Sequence, residues 1–290
     1  AITSNFPLDF HAMLLKLESS QDIGFGYYTD SADLQITVDW PEEAVIEITK
    51  KDGDTGKNLA GAVYGVYSDN ACTKLIVKMP PTDSNGSSRV TLTKTQDTVY
   101  LKEITAPEGY VVQASSYGVK LVVGSTTKQT VTDKEQKGNL TVYKEGEVFV
   151  GAVSDENGTS FQYEKRRQKG AVYNVYAAED IVTAGGKTVY KKGAEVAKNL
   201  ITGENGSVTV KNLPLGSYNV TEAQAPENFY NAKETKKVTI SYAGQTAEAA
   251  FSETTFTNDR QKAVVQVIKK DKDTENTLSG GHFALFAAQD

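Results

Sequence analysis

Residues 44–69 read AVIEITKKDGDTGKNLAGAVYGVYSD, and residues 263–288 read AVVQVIKKDKDTENTLSGGHFALFAA. The two stretches align without a gap at an offset of 219 residues. A third copy lies between them. Its opening strand is LTVYK (140–144), and its GAVYNVY (170–176) matches GAVYGVY (61–67) at an offset of 109. Landmarks that recur in a fixed order mark repeated structural units. Two more follow in sequence: VYLKEITAPEGY (99–110) matches YNVTEAQAPENF (218–229), and TVTDKEQKG (130–138) matches TFTNDRQKA (255–263). The interval from Asp133 to Lys144 is 11 residues, as is that from Asn258 to Lys269, so the spacing also holds across the unit junctions.

The units therefore run over 44–137, 138–261 and 262–290. The first two are close to the ~100-residue domain size. The third stops after its first hairpin, and a strand pair does not bury a core alone. Residues 1–43 match no part of the repeat and read as the C-terminal remnant of a preceding β-rich domain. The chain is thus expected to be a piece of a longer protein, with any signal peptide and anchor outside it.

The repeat reads as β-structure. IEITKK, RVTLTK, VYLKE, GVKLVV, LTVYK, SVTVK, SYNVTE, KVTISY and VQVIKK alternate apolar and polar residues with period two. Asn85-Gly86, Asn157-Gly158, Asn205-Gly206 and Asp54-Thr55-Gly56 punctuate them as turns. Several short strands per unit predict all-β, Ig-like sandwiches in tandem, with a partial domain at each end. A single helical turn is expected within VTAGGKTVYKKGAEVAKNL (182–200). From Lys144 to Gly170 is 26 residues, against 11 from Lys50 to Gly61. The surplus, around SDENGTSFQYEKRRQ (154–168), is polar and predicts a long hairpin or loop.

Composition narrows the function classes. Across 290 residues, 39% are hydrophobic and 23% charged, which describes a globular chain rather than a disordered one. The single cysteine, Cys72, rules out an intrachain disulfide and multi-cysteine metal sites. His11 and His282 fall in different units and leave little scope for histidine-based chemistry. The net charge of −6 argues against nucleic-acid binding. It is concentrated in residues 1–43, which carry eight acids and one base. No apolar run reaches the ~20 residues of a membrane span. Neither cofactor nor metal is expected, because Asp52, Asp54, Asp271 and Asp273 lack the glycine and distal glutamate of a calcium loop and read as solvated turns.

Strand parity singles out a small set of polar residues. Lys50 continues the face of Ile46 and Ile48, Lys144 that of Leu140 and Val142, and Lys269 that of Val265 and Val267. A lysine thus extends an apolar face three times, although an unpaired buried ammonium is costly. By the same parity Glu103 continues Val99 and Leu101, and Glu222 continues Tyr218 and Val220. Asp133 and Asn258 end the closing strands after Val131 and Phe256. Each complete unit therefore offers a lysine, a glutamate and an Asp or Asn on inner faces. The plainer alternative for these sets is a buried salt bridge, or lysines that guard a sheet edge.

An opening strand ending in lysine, an L-x-GA-x-[YF] hairpin, an E-x-x-AP motif and a closing TVT[ND] strand resemble the CnaB-type module, the prealbumin-like SpaA-type domain of Gram-positive surface adhesins and pilins. The resemblance covers 44–261 fully and 262–290 in part. It implies an intramolecular isopeptide bond in each complete unit, Lys50–Asp133 and Lys144–Asn258, with Glu103 and Glu222 as the catalytic carboxyls. Lys269 is the corresponding lysine of the third unit and is expected to stay unreacted, having no partner set in this chain. Burial favours the neutral, nucleophilic amine. A carboxyl in the same pocket is expected to be held protonated and to act as general acid. Such a bond would close 83 and 114 residues. By analogy with a disulfide it would contribute about 4–5 kcal/mol. The reaction would occur once per domain, so the chain is not expected to be an enzyme.

The leading expectation is a rigid, monomeric stalk segment of a cell-wall-anchored, extracellular adhesin or pilin. Any host or matrix partner would be bound through another domain. The alternative is a collagen-type adhesin module in which these domains grip the partner, the 154–168 insertion being the natural site. A hydrolase with a transthyretin-like accessory domain is disfavoured, since no cluster of His, Ser or paired carboxylates stands outside the repeat core. Lys165-Arg166-Arg167 reads as a solvated run.

Overall fold

The computed structural model describes residues 42–155, 158–263, 265–284 and 286. The remnant expected over 1–43 lies, but for its last two residues, outside the described residues, as does His11. The first set of strands comprises β1 (Glu43–Asp52), β2 (Val63–Tyr67), β3 (Leu75–Lys78), β4 (Ser87–Thr93), β5 (Thr98–Thr105), β6 (Tyr110–Val111), β7 (Ser116–Lys120) and β8 (Thr126–Glu135). They form two sheets, ordered β4-β1-β8-β6 and β3-β2-β5-β7. The second set comprises β9 (Lys137–Asp155), β10 (Gly158–Arg167), β11 (Val172–Ala177), β12 (Ile181–Val182), β13 (Thr188–Tyr190), β14 (Glu195–Ile201), β15 (Ser207–Pro214), β16 (Gly216–Gln224), β17 (Thr235–Ile240) and β18 (Ala249–Asn258). Here β9 lies between β15 and β18, facing a sheet ordered β14-β11-β16-β17. The arrangement is the same in both sets, and the chain is all-β among the described residues.

The period-two pattern explains the two cores. Along β1, exposure alternates residue by residue, and Ala44, Ile46 and Ile48 point inward. They meet Tyr64 and Val66 of β2 and Val99 and Leu101 of β5 from the facing sheet. The second core repeats this with Leu140 and Val142 against Tyr173, Val175, Tyr218 and Val220. Burying one such side chain stabilises the fold by roughly 1.5–3 kcal/mol. The first and last strands of each set pair in parallel, with Lys50 opposite Val131 and Lys144 opposite Phe256. Two glycine turns seat the lysine strands. Gly86 (φ +69°) and Gly206 (φ +66°) accept the Lys50 and Lys144 N–H at 2.7 and 2.8 Å. A Cβ at Gly86 would stand 2.4 Å from the Lys50 carbonyl oxygen, so both φ and space demand glycine.

Three sequence expectations need correction. The stretch 182–200 holds no helical turn but the end of β12, all of β13 and all but the last residue of β14, with Ile181 buried beside them. VQVIKK forms no strand: Val265, Val267 and Ile268 are exposed, and only an isolated bridge, Lys270 to Thr277, forms nearby. No second sheet covers their apolar face within the described residues, and a strand pair without one is marginal. Asp52 is no solvated turn residue. It is buried, accepts the Tyr110 hydroxyl at 2.6 Å, and accepts the N–H groups of Asp54 and Thr55. The inserted segment is a hairpin, as expected, but it begins earlier. Beyond Gly146, β9 leaves β18 and pairs only with β10.

Candidate functional site: two buried lysine–carboxyl clusters

In the first cluster Lys50 is fully buried. It reaches between the sheets because β1 is central and its inward parity continues past Ile48. Its Nζ contacts Asp133 Oδ1 on the adjacent parallel strand β8. Across the core it lies 2.8 Å from Glu103 Oε1 on β5, close enough for an ion pair but without hydrogen-bond alignment at that oxygen. It also donates to the Tyr64 hydroxyl at 2.8 Å. Glu103 is held from behind, its Oε2 accepting the Gln113 N–H at 2.9 Å. One ammonium thus faces two buried carboxyl groups. Burial pushes the Asp133 carboxyl up to about 7, against the pull of Lys50, and the Glu103 charge adds to the rise.

The second cluster repeats the frame with an amide in place of the second acid. Lys144 is fully buried on β9, and burial lowers its pKa despite the opposing influence of Glu222. Glu222 of β16 spans the site. Its Oε1 stands 3.2 Å from Lys144 Nζ, a charge contact without hydrogen-bond alignment. Its Oε2 accepts from Asn258 Nδ2 at 2.8 Å. The Tyr173 hydroxyl donates to Glu222 Oε1 at 3.5 Å, and its ring packs on Phe256 at 4.9 Å. One carboxyl group therefore touches both the amine and the amide nitrogen.

The structure brings together the sequence-derived sets Lys50, Glu103, Asp133 and Lys144, Glu222, Asn258. Lys51 stands off the inner face, as parity requires. Lys269 is exposed and joins no cluster. Tyr64 and Tyr173 were not singled out, although the repeated GAVY motif carries both. They occupy the same register, Tyr64 opposite Glu103 and Tyr173 opposite Glu222. Burial pushes both phenols up, so they remain neutral hydroxyls beside the charges. Among the described residues no group of three or more His, Cys, Asp or Glu is arranged to hold a metal. Cys72 is half-buried and free.

Solved structures with related backbones include the Bacillus anthracis TIE protein, at 23% identity and a TM-score of 0.49, over 76% of this chain and 34% of that one. A streptococcal ancillary pilin matches at 21% identity and a TM-score of 0.31, over 77% of this chain and 63% of that one. A minor pilin of Streptococcus agalactiae matches at 15% identity and a TM-score of 0.30, over 78% of this chain and all of that one. The chain thus spans about a third of the first of these and under two thirds of the second. No curated protein matches it in sequence. The prealbumin-like fold domain profile named SpaA matches residues 44–136 and again 157–255. The chain belongs to the SpaA prealbumin-like domain family, in two tandem copies.

Proposed function

We propose that this chain is a stalk segment of a Gram-positive surface adhesin or pilin, extracellular and held by an anchor elsewhere in the protein. In this reading each complete module is stapled by a self-formed isopeptide bond, and 262–290 opens a third module. One observation carries it: a fully buried lysine beside a buried glutamate and an Asp or Asn, twice, at the junction of first and last strands. Membership of the SpaA prealbumin-like domain family, over 44–136 and 157–255, supports the same reading.

The chemistry follows from the contacts. In the second cluster the Lys144 ammonium passes a proton to Glu222, and the neutral amine attacks Cγ of Asn258. Glu222, already bonded to Nδ2, returns that proton to the departing nitrogen. The Cγ–Nδ2 bond breaks, Nζ loses a second proton, and the group departs as ammonium. In the first cluster the Lys50 ammonium passes a proton to Glu103, and the neutral amine attacks Cγ of the protonated Asp133 carboxyl. The Asp133 hydroxyl leaves as water with the proton that Glu103 returns, and Nζ gives its second proton to Glu103. Folding supplies the proximity, which is the larger part of the rate. Each module reacts once, without turnover. Proteolytic peptide mapping tests this: the strand holding Lys144 should be recovered joined to the strand holding Asn258. Recovery of the two as separate, unmodified peptides would exclude the bond.

A second reading is favoured by one observation. The β9–β10 hairpin exposes Phe149, Phe161 and Tyr163, packed edge-to-face at 6.0 and 6.1 Å. Exposed aromatic groups of this kind suit protein binding. A matrix-binding adhesin module would use this hairpin, and its excision would abolish adhesion.

A further inference from the structure

Gln136 is the single residue between β8 and β9, and it is buried. Its carboxamide is fully used by the loop between β17 and β18. Nε2 donates to the carbonyls of Gly244 and Ala247 at 2.9 and 2.6 Å, and Oε1 accepts the Ala243 N–H at 2.7 Å. Its own N–H donates to the Gly109 carbonyl at 2.8 Å, which fixes it to the first module. One side chain thus clasps the second module to the end of the first.

The same device recurs at the far end of the second module. Gln261 follows Asn258 by three residues, as Gln136 follows Asp133. Its N–H donates to the Asn228 carbonyl at 3.0 Å. Asn228 (φ 66°) repeats the left-handed backbone of Gly109 (φ 88°), one residue before the aromatic of each AP motif. The bridge from Phe229 to Arg260 repeats the pairing of Tyr110 with Glu135. The clasp itself is open. Gln261 is exposed, and with Tyr230, Asp259, Arg260 and Lys262 it borders a cavity of about 570 Å³. At the first junction Gly109, Glu135 and Gln136 face Val182–Ala184 and Pro214–Leu215 of the second module, with about 20 Å³ between them.

We propose that Gln261 and this cavity form a docking socket for the β17–β18-type loop of a further prealbumin-like module, held by the Gln261 carboxamide as Gln136 holds 243–247. The occupant is the module that 262–290 opens by sequence, so the inference rests on that part of the proposed function. The commitment is to the glutamine half of the clasp. At the first junction Gln245 reaches back to the Ile104 carbonyl and the Ala106 N–H. At the second the equivalent Ala223 carbonyl is already taken by Asn231 Nδ2 at 3.0 Å.

The test lengthens the chain: a second copy of 137–261 follows Gln261 in place of 262–290, so that a known matching loop meets the socket. Amide exchange at the appended copy of Ala243 should be slowed as it is at Ala243 itself. Gln261→Ala should speed it by about tenfold, as loss of the bonds to one carboxamide implies. Gln261→Glu keeps an acceptor for that N–H but loses both Nε2 donations, and should speed it by less. Because Gln261 is exposed, neither change threatens the fold. An appended loop that exchanges equally fast with glutamine, alanine or glutamate would overturn the socket. Mass loss from the appended module reports separately on the stapling chemistry, so the two ideas fail independently.

Discussion

At the residue scale, the account turns on the glutamates. Glu222 touches both Lys144 Nζ and Asn258 Nδ2, so if the proposed bond forms, Glu222→Ala should keep the ammonia that the second module would otherwise lose, as intact mass would reveal. If that variant still sheds ammonia, Glu222 has no part in the proton transfer. The first module adds a pH dependence. Asp133 is raised to about 7, so its neutral acid, the form that expels water, persists below that pH and gives way to carboxylate above it. The sign is that of a raised acid: what the protonated form contributes is complete at low pH and lost as pH climbs through about 7. In freshly synthesised chains the Lys50–Asp133 bond should therefore form faster at about pH 6 than at about pH 8.5. Asn258 carries no titrating group and should not follow that fall. Equal decline in both modules would contradict the assignment. Parity alone exposed Lys50, Lys144, Glu103, Glu222, Asp133 and Asn258, because each breaks an apolar face. Tyr64 and Tyr173 escaped notice because an aromatic in a core face breaks no pattern. Their hydroxyls matter only through what stands opposite, which register decides.

At the element scale, the parallel pairing of β1 with β8 and of β9 with β18 makes each bond possible. It was foreseeable only as first strand beside last. The hairpin was legible as surplus length, but its root was not. The extension of β9 reads as one alternating strand, and only the end of β18 opposite Gly146 marks where the sandwich stops. The missing strand at 265–270 shows the converse, a pattern without a partner sheet. Since β10 pairs with nothing but β9, replacing Val148–Glu164 by an Asn-Gly turn should leave both cores and both mass losses intact. Loss of either mass change in that variant would show the hairpin to be part of the folding unit.

At the scale of the whole molecule, two cores of similar make-up each bring first strand beside last, and in the proposed reading a link between those strands would shield the intervening ones from pulling force. A chain with one cysteine would gain by this route what disulfides supply elsewhere. Lys144→Ala should lower stability by about 4–5 kcal/mol from the lost loop closure, and by more because Glu222 is left buried without the isopeptide N–H beside it. Denaturant unfolding of the second module checks that magnitude. Residues 1–43 carry a net charge of −7 and the rest of the chain +1, so the overall −6 bears little on the two modules. The central claim is that both clusters react to completion, and intact mass spectrometry of the purified chain addresses it most directly. The account predicts a mass below that of the sequence by one water and one ammonia. A mass equal to that of the sequence would contradict it.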